Sequence, residues 1–115
     1  MKKLFLIIFS VLLTMSFTLN ETYGKASWYG HPYHRRKAAS GEIYNMYSFT
    51  AAHRTLKFGT KLKVTNIANN KSVVVRINDR GPFVKGKILD LSKAAFQQIA
   101  SSSVGVINIK YNVIE

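Results

Sequence analysis

A polar turn follows the β-branched run Val73-Val74-Val75, and it reads Arg76-Ile77-Asn78-Asp79-Arg80-Gly81-Pro82-Phe83. β-Branched residues favour strands. Gly81 can adopt backbone angles that other residues avoid, and Pro82 fixes its own φ and keeps Gly81 out of the helical region. Asp79 and the asparagine before it therefore lie where a buried strand meets a stiff turn. A strand end is a rigid place to mount side chains that must point into a cleft.

Acidic residues are scarce in this chain. It has five Asp and Glu against 17 Lys and Arg. Asp79 and Asp90 lie in and just after the polar turn, and a third acidic residue, Glu42, follows the turn-forming pair Ser40-Gly41. Asp79 either carries chemistry or caps the turn through its own backbone. Glu42 and Asp90 could each pair with one of the many cations, and we expect such a pairing for Asp90.

Further strands are predicted on both sides of the polar turn. Residues 61–67 alternate apolar and polar side chains strictly, which indicates a half-buried strand, and residues 68–71 suit a hairpin turn. Ser92 is a good N-cap for a helix of about two turns. The predicted elements that follow from these patterns are return and short strands at 72–77 and 88–91, the helix at 93–100 and a final strand at 104–114.

The first half of the chain gives weaker patterns. Residues 25–30 are typical of a strand that ends at Gly30, and residues 43–49 have weak strand character. Ala51 and Ala52 favour a short helical turn. His53, in the same small and apolar context, is expected to be a satisfied core or turn residue unless chemistry uses it.

The N-terminal segment is typical of a secretory signal. Lys2 and Lys3 precede an apolar stretch at 4–13, and a polar segment ends near Gly24. The apolar stretch is shorter than the roughly 20 residues of a membrane span. We therefore predict a cleaved signal at 1–24, with an approximate cut site, and an exported domain at 25–115 that is periplasmic or extracellular.

The absence of cysteine constrains this domain of about 90 residues. No disulfide can staple it, and no thiol is available for a metal, for nucleophilic catalysis or for lipid attachment. A small exported domain must then rely on a tight hydrophobic core, which favours a closed or nearly closed sheet. We expect a monomer without a cofactor.

The formal charge of +12 points to anionic partners. For an exported protein, anionic wall polymers or a membrane surface are favoured over nucleic acid, and we expect no nucleic acid partner. Simple solubility is the alternative. His31 and His34 lie in a basic loop without acidic or thiol partners at useful spacing, so no metal site is predicted. This loop, residues 31–37, either contacts an anionic or sugar substrate, with His34 as the candidate contact, or is merely solvated.

Trp28 and Tyr29 form an aromatic pair in the first predicted strand, and Trp28 is the only tryptophan of the chain. Such a pair is commonly core packing. Sugar-binding clefts use the same residues because an aromatic face packs against the apolar face of a pyranose ring. Both interpretations remain open from the residues alone.

Several of these motifs, in this order, resemble the rare lipoprotein A family. The similarity covers nearly the whole chain after residue 24. The matching segments are 26–30, 40–42, 50–56, 58–60, 64–66, 76–83 and 90–92.

The resemblance implies an all-β fold, namely a six-stranded double-psi β-barrel with one or two short helices and a substrate groove. Characterised members are lytic transglycosylases that cut peptidoglycan glycan strands lacking stem peptides. Their catalytic Glu, His and Asp match Glu42, His53 and Asp79. The candidate substrate-binding residues are Trp28, Tyr29, His34, Asn78 and Arg80.

Such an enzyme needs fewer groups than a hydrolase. An acid must protonate the leaving oxygen of the glycosidic bond. The muramyl C6 hydroxyl then attacks within the same chain and leaves an anhydro-muramyl end, so one carboxyl can act first as acid and then as base. Two alternatives remain open: an expansin-like module that binds and loosens wall polysaccharide without cutting it, and an inhibitor or toxin-like accessory that uses a basic groove on an acidic protein.

Overall fold

The computed structural model describes residues 20–115, which form six strands, one α-helix and two short 3₁₀ turns. Most of the predicted signal at 1–24 lies outside the described residues. Within residues 20–115, neither the helix nor the 3₁₀ turns are long and apolar enough to cross a membrane. The elements are β1 (Thr22–Tyr29), β2 (Thr50–Ala52), β3 (Lys61–Asn66), β4 (Ser72–Asp79), β5 (Lys87–Ser92), α1 (Lys93–Ile99) and β6 (Val106–Val113).

The six strands close into a barrel in the order β1-β5-β2-β4-β3-β6. β1 pairs with β5 and β2 with β4 in parallel, whereas the other neighbours are antiparallel. Closure satisfies the backbone groups that an open sheet would leave at its edges. The predicted six-stranded barrel with a short helix is confirmed.

The core lies inside this barrel, and α1 contributes buried side chains to it. Val75 and Ile77 of β4 face inward and are almost completely buried. Phe96 and Ile99 of α1 are fully buried in the same cluster. Ser92 caps the helix as predicted, because its side chain accepts a hydrogen bond from the Ala95 N–H at 3.2 Å.

A bulge in the β2–β4 ladder decides where the acidic turn lies. Ala51 is opposite Ile77, but Ala52 is opposite Asp79, so two residues of β4 oppose one residue of β2. A bulge of this kind re-aims the side chain that follows it. On its other side Ala52 is opposite Asp90 of β5, so the two aspartates flank one small residue.

Two local predictions were wrong. Ala51 and Ala52 belong to strand β2 instead of a helical turn, because β4 and β5 pair with them on both sides and outweigh the local helix propensity of alanine. Residues 43–49 form no strand. They lie as a loop whose main chain is tied back to the preceding residues, for example by the Arg35 N–H donating to the Tyr44 carbonyl at 2.8 Å.

β1 begins earlier than predicted. Thr22, Tyr23 and Gly24 pair with β6, opposite Tyr111, Lys110 and Ile109. Gly24 also leaves room for Ile88, since a Cβ at Gly24 would lie 2.8 Å from that side chain. The strand therefore extends into the segment predicted as signal.

Candidate active site: a groove with two aspartates

A groove of about 490 Å³ opens where β1, β2, β4 and β5 end near the bulge. This volume falls in the range of roughly 300–1,000 Å³ that is usual for ligand sites. Ala52 lies between Asp79 and Asp90 in its lining. Because alanine carries only a methyl group, the space between the two carboxylates is left for a ligand.

Asp79 is held by one of its two carboxylate oxygens. Oδ1 accepts hydrogen bonds from the Ala39 N–H at 2.8 Å and from the Arg80 N–H at 2.9 Å. No donor within residues 20–115 reaches Oδ2, and no Lys or Arg of that range lies within 4.0 Å of the carboxylate. The residue thus caps its turn with one oxygen and leaves the other for a ligand.

Tyrosines form one wall of the groove. Tyr29 stacks on Tyr44 with ring centroids 4.4 Å apart, and Tyr33 meets Tyr29 edge-on at 5.8 Å. The Tyr44 hydroxyl donates to the Tyr29 carbonyl, and burial raises the pKa of Tyr44 to about 12. Burial, reinforced by the nearby charges of Asp79 and Asp90, also raises the pKa of Tyr29, so both phenols are neutral.

Trp28 completes the wall and belongs to the core at the same time. Its Nε1–H donates to the Ser102 carbonyl at 3.0 Å, and its ring lies 6.4 Å from that of Phe96. A Cβ at Gly30 would lie only 2.6 Å from the indole, so glycine is required for this approach. Trp28 thus packs against the core and also lines the groove, so core packing does not exclude a contact with a sugar.

Glu42 lies outside the groove lining, in the exposed loop beside it. It forms a two-pronged ion pair with Arg76, at 2.5 and 2.9 Å. The hydrogen bond from Arg76 is the main reason why the pKa of Glu42 is lowered. The Glu42 carbonyl accepts from the Ala38 N–H at 2.7 Å, and the next residue, Ala39, donates to Asp79. Glu42 therefore anchors the loop that holds Asp79.

His53 also supports Asp79 from outside the lining. Its backbone N–H donates to the Asp79 carbonyl at 3.1 Å. Its Nδ1 accepts from two backbone N–H groups, those of Thr55 and Leu56, so the neutral ring carries its proton on Nε2 and donates it to the Tyr111 hydroxyl at 3.0 Å. Burial, with the charges of nearby Arg80 and Arg54, lowers the pKa of His53.

Of the three remaining predicted substrate-binding residues, one lines the groove and two lie outside its lining. Arg80 lines the groove, but its guanidinium stacks on Phe58 at 3.9 Å and donates to the His53 and Leu56 carbonyls, so it stiffens the turn. Asn78 is buried beneath the loop, where its carbonyl accepts from the Ser40 N–H. His34 lies in a separate depression and accepts from the Met46 N–H.

Of the predicted site residues, the groove lining contains Trp28, Tyr29, Asp79 and Arg80, and it does not contain Glu42, His34, His53 and Asn78.

The expected cation partner of Asp90 is absent among residues 20–115. Asp90 instead accepts a hydrogen bond from the Ser27 hydroxyl at 2.6 Å and lines the groove. Sequence reasoning missed Tyr44, which lies in the lining, whereas Arg36 and Lys37 of the lining belong to the basic loop that was considered as a substrate contact. The available signal for Asp90 was its position in a short apolar strand just before a helix cap.

Within residues 20–115, no three His, Asp or Glu side chains cluster closely enough to hold a metal ion.

A closed six-stranded barrel with two parallel strand pairs and a groove at the strand ends defines the class of double-psi β-barrels. Solved structures with this fold include Streptomyces papain inhibitor, with a TM-score of 0.70 at 21% identity, covering 84% of this chain and 96% of that one. A D78N mutant of Clavibacter michiganensis expansin in complex with cellohexaose gives a TM-score of 0.67 at 23% identity, covering 84% and 51%. At this identity the similarity establishes the fold alone.

The chain belongs to the double-psi β-barrel family described as lytic transglycolase, whose family model matches residues 21–111. Its relatives include a probable endolytic peptidoglycan transglycosylase RlpA of Synechocystis, 53% identical over 92 residues, and the endolytic peptidoglycan transglycosylase RlpA of Vibrio cholerae, 54% identical over 91 residues. These matches cover 80% and 79% of this chain but only 29% and 35% of the relatives, so the chain spans about a third of their length. The resemblance drawn from the motifs is confirmed.

Proposed function

We propose that this protein cuts peptidoglycan glycan strands as an endolytic lytic transglycosylase, with Asp79 as the acid. The observation that carries the proposal is the state of Asp79. It is a groove carboxylate fixed through Oδ1 by two backbone N–H groups and free of any ion pair within residues 20–115, in a chain with 17 Lys and Arg. Membership of the family and the activity in the names of relatives about half identical in sequence support it.

Asp79 donates its proton to the glycosidic oxygen as the bond to C1 of the muramyl residue breaks. The C6 hydroxyl of that residue attacks C1, loses its proton to a base and closes the anhydro ring, so no water is consumed. Protonation by a positioned side chain contributes roughly 10²–10⁴-fold to such a reaction. Glu42 and His53 act as positioning residues, because each holds a segment that is hydrogen-bonded to Asp79.

The sugar chain lies along the aromatic wall. Trp28, Tyr29 and Tyr33 offer ring faces and edges to the apolar faces of pyranose rings. Arg36 and Lys37 in the same lining supply positive charge. This charge favours a strand whose muramyl carboxylates are free of peptide, and the basic exterior adds attraction to anionic wall polymers.

Export completes the proposal, and we place the signal cut before Thr22. A cut after Gly24 would remove three residues from β1 that pair with β6. A cut before Thr22 leaves that strand whole. Amino-terminal sequencing of protein recovered from the envelope or the medium tests the position. The exported domain acts as a monomer, and a single species of about the domain mass in light scattering is the expected result.

Product analysis tests the proposed activity. Purified protein is incubated with glycan strands stripped of stem peptides, and the strand ends are identified by mass spectrometry. Anhydro-muramyl ends are expected, and ordinary reducing ends would instead identify a hydrolase. Retained wall binding without any cleavage would overturn the proposal in favour of an expansin-like binder.

A further inference from the structure

We propose that Asp90 is a second catalytic carboxylate, which takes the proton of the attacking C6 hydroxyl while Asp79 protonates the leaving oxygen. This division of labour rests on the proposed function and names a group that the transglycosylase site would use besides Asp79. Four observations carry it: strand register, ion pairing, the anchoring of Asp90 and its place in the groove.

The strand register places the two carboxylates on either side of the reaction space. Asp90 and Asp79 are the partners of Ala52 on its two neighbouring strands. Neighbouring strands are about 4.8 Å apart, so the two Cα atoms are separated by roughly 10 Å across one small residue. Paired carboxyls that act on a glycosidic bond are typically about 5 to 9.5 Å apart, which side chains mounted at this spacing can reach.

Ion pairing separates these two carboxylates from the other three. Outside the groove, every acidic side chain within residues 20–115 is paired: Glu21 with Lys110, Glu42 with Arg76 and Glu115 with Lys61. Neither Asp79 nor Asp90 has a Lys or Arg of that range within 4.0 Å. In a chain of charge +12, two unpaired carboxylates in one groove are the groups available to bind or release protons.

Asp90 is anchored in the same manner as Asp79. Ser27 is its partner on β1, and the nearly buried Ser27 hydroxyl donates to Oδ1 at 2.6 Å, leaving Oδ2 without a donor from residues 20–115. Tyr29 lies in the same lining, with its hydroxyl buried and unpartnered within that range. Both carboxylates are close enough to raise the pKa of this phenol, so the three groups share one electrostatic environment.

The step balances. The Asp79 carboxyl gives its proton to the glycosidic oxygen, the C1–O bond breaks, and a bond forms between C1 and the C6 oxygen. The C6 hydroxyl proton passes to Asp90. After product release Asp79 regains a proton from solvent and Asp90 loses one to it, so no other reactant is needed.

The test compares rates of anhydro-muramyl end formation for wild type and Asp90→Asn across pH. General-base removal is expected to lower kcat roughly 10²–10⁴-fold with KM nearly unchanged. The acidic limb of the pH profile, which requires an ionised base, should disappear. Asp90→Glu keeps the carboxylate and should keep that limb at reduced rate, and Glu115→Gln, which removes the same charge outside the groove, should leave the rate unchanged.

Ser27→Ala separates chemistry from architecture. It removes the anchor but leaves the carboxylate, so a loss much smaller than that of Asp90→Asn is expected. Equal losses in both variants with the acidic limb intact would overturn the inference, as would an Asp90→Asn protein with the wild-type rate. In these cases the wild type still forms anhydro ends and the proposed function stands. A wild type that forms none overturns both.

Discussion

Removing either partner of the Glu42–Arg76 ion pair distinguishes a loop anchor from a catalytic acid. If Glu42 acts by holding the loop whose Ala39 N–H binds Asp79, then Glu42→Gln and Arg76→Gln break the same contact. Both variants should then lose activity to a similar and small extent. If Glu42 is itself the acid, only Glu42→Gln should cause a large loss of activity.

The structure bounds the size of this effect. The two side chains are 40% and 42% exposed, so the pair is screened by solvent. Pairs this exposed usually contribute about 0.2–1 kcal/mol, and the two-pronged geometry places this one near the upper end. A free-energy change of about 1 kcal/mol shifts an equilibrium roughly fivefold. The loss of activity in either variant should therefore not exceed about tenfold, against 10²–10⁴-fold for a lost catalytic acid.

The assay is the rate of anhydro-muramyl end formation, measured with urea unfolding of each single variant and of the double variant. The double-variant cycle should give a coupling of about 0.5–1 kcal/mol that shrinks as salt rises. Lys61→Gln, which breaks a more exposed pair with Glu115 away from the groove, is the control and should leave the rate unchanged. A loss of more than a hundredfold in Glu42→Gln, with Arg76→Gln near wild type, would refute the anchor and make Glu42 a catalytic residue.

Three further outcomes are expected. Because the pKa of His53 is lowered, its contribution to stability is present above its unfolded pKa of about 6.5 and is lost as pH falls through the folded value. In His53→Gln, the free energy of unfolding measured in urea should therefore depend less on pH below about 6.5 than in wild type, and an unchanged pH dependence would contradict this. Gly30→Ala should cost about 1–3 kcal/mol and shift the emission of Trp28, the sole tryptophan, whereas a wild-type Tm and spectrum would argue against the close contact. Binding to isolated walls should weaken as salt shortens the Debye length from about 10 Å at 0.1 M, and salt-independent binding would instead assign attachment to stacking on Trp28 and Tyr29.

Local sequence was sufficient to predict those elements whose structure is decided by residues that are neighbours in the chain. The strict alternation of β3 and the asparagines after it predicted the β3–β4 hairpin, and Ser92 predicted the start of α1. The polar turn at 76–83 predicted that Asp79 stands at a strand end. The six-stranded barrel was predicted from the resemblance to a family, which depends on several motifs in order over nearly the whole domain. No single motif would have predicted it.

Contacts between distant residues could not be predicted in this way. Ala51 and Ala52 are a strand only because β4 and β5 lie on both sides. The position of Asp90 opposite Ala52 follows from barrel closure and from the bulge beside Asp79, neither of which has a local signature. The partner of Glu42 is 34 residues away in sequence, so the choice of Arg76 among many cations needed the fold.

The most direct test of the central claim is strand cleavage by Asp79→Asn beside wild type in water enriched in heavy oxygen. Wild type should produce anhydro-muramyl ends that carry no heavy oxygen, because the C6 hydroxyl and not water attacks C1. Asp79→Asn should produce none, while it keeps the wild-type Tm and wall binding, since the amide oxygen can still accept the bonds from Ala39 and Arg80. A stable Asp79→Asn protein that cuts strands at the wild-type rate, or wild-type ends that carry heavy oxygen, would contradict the account.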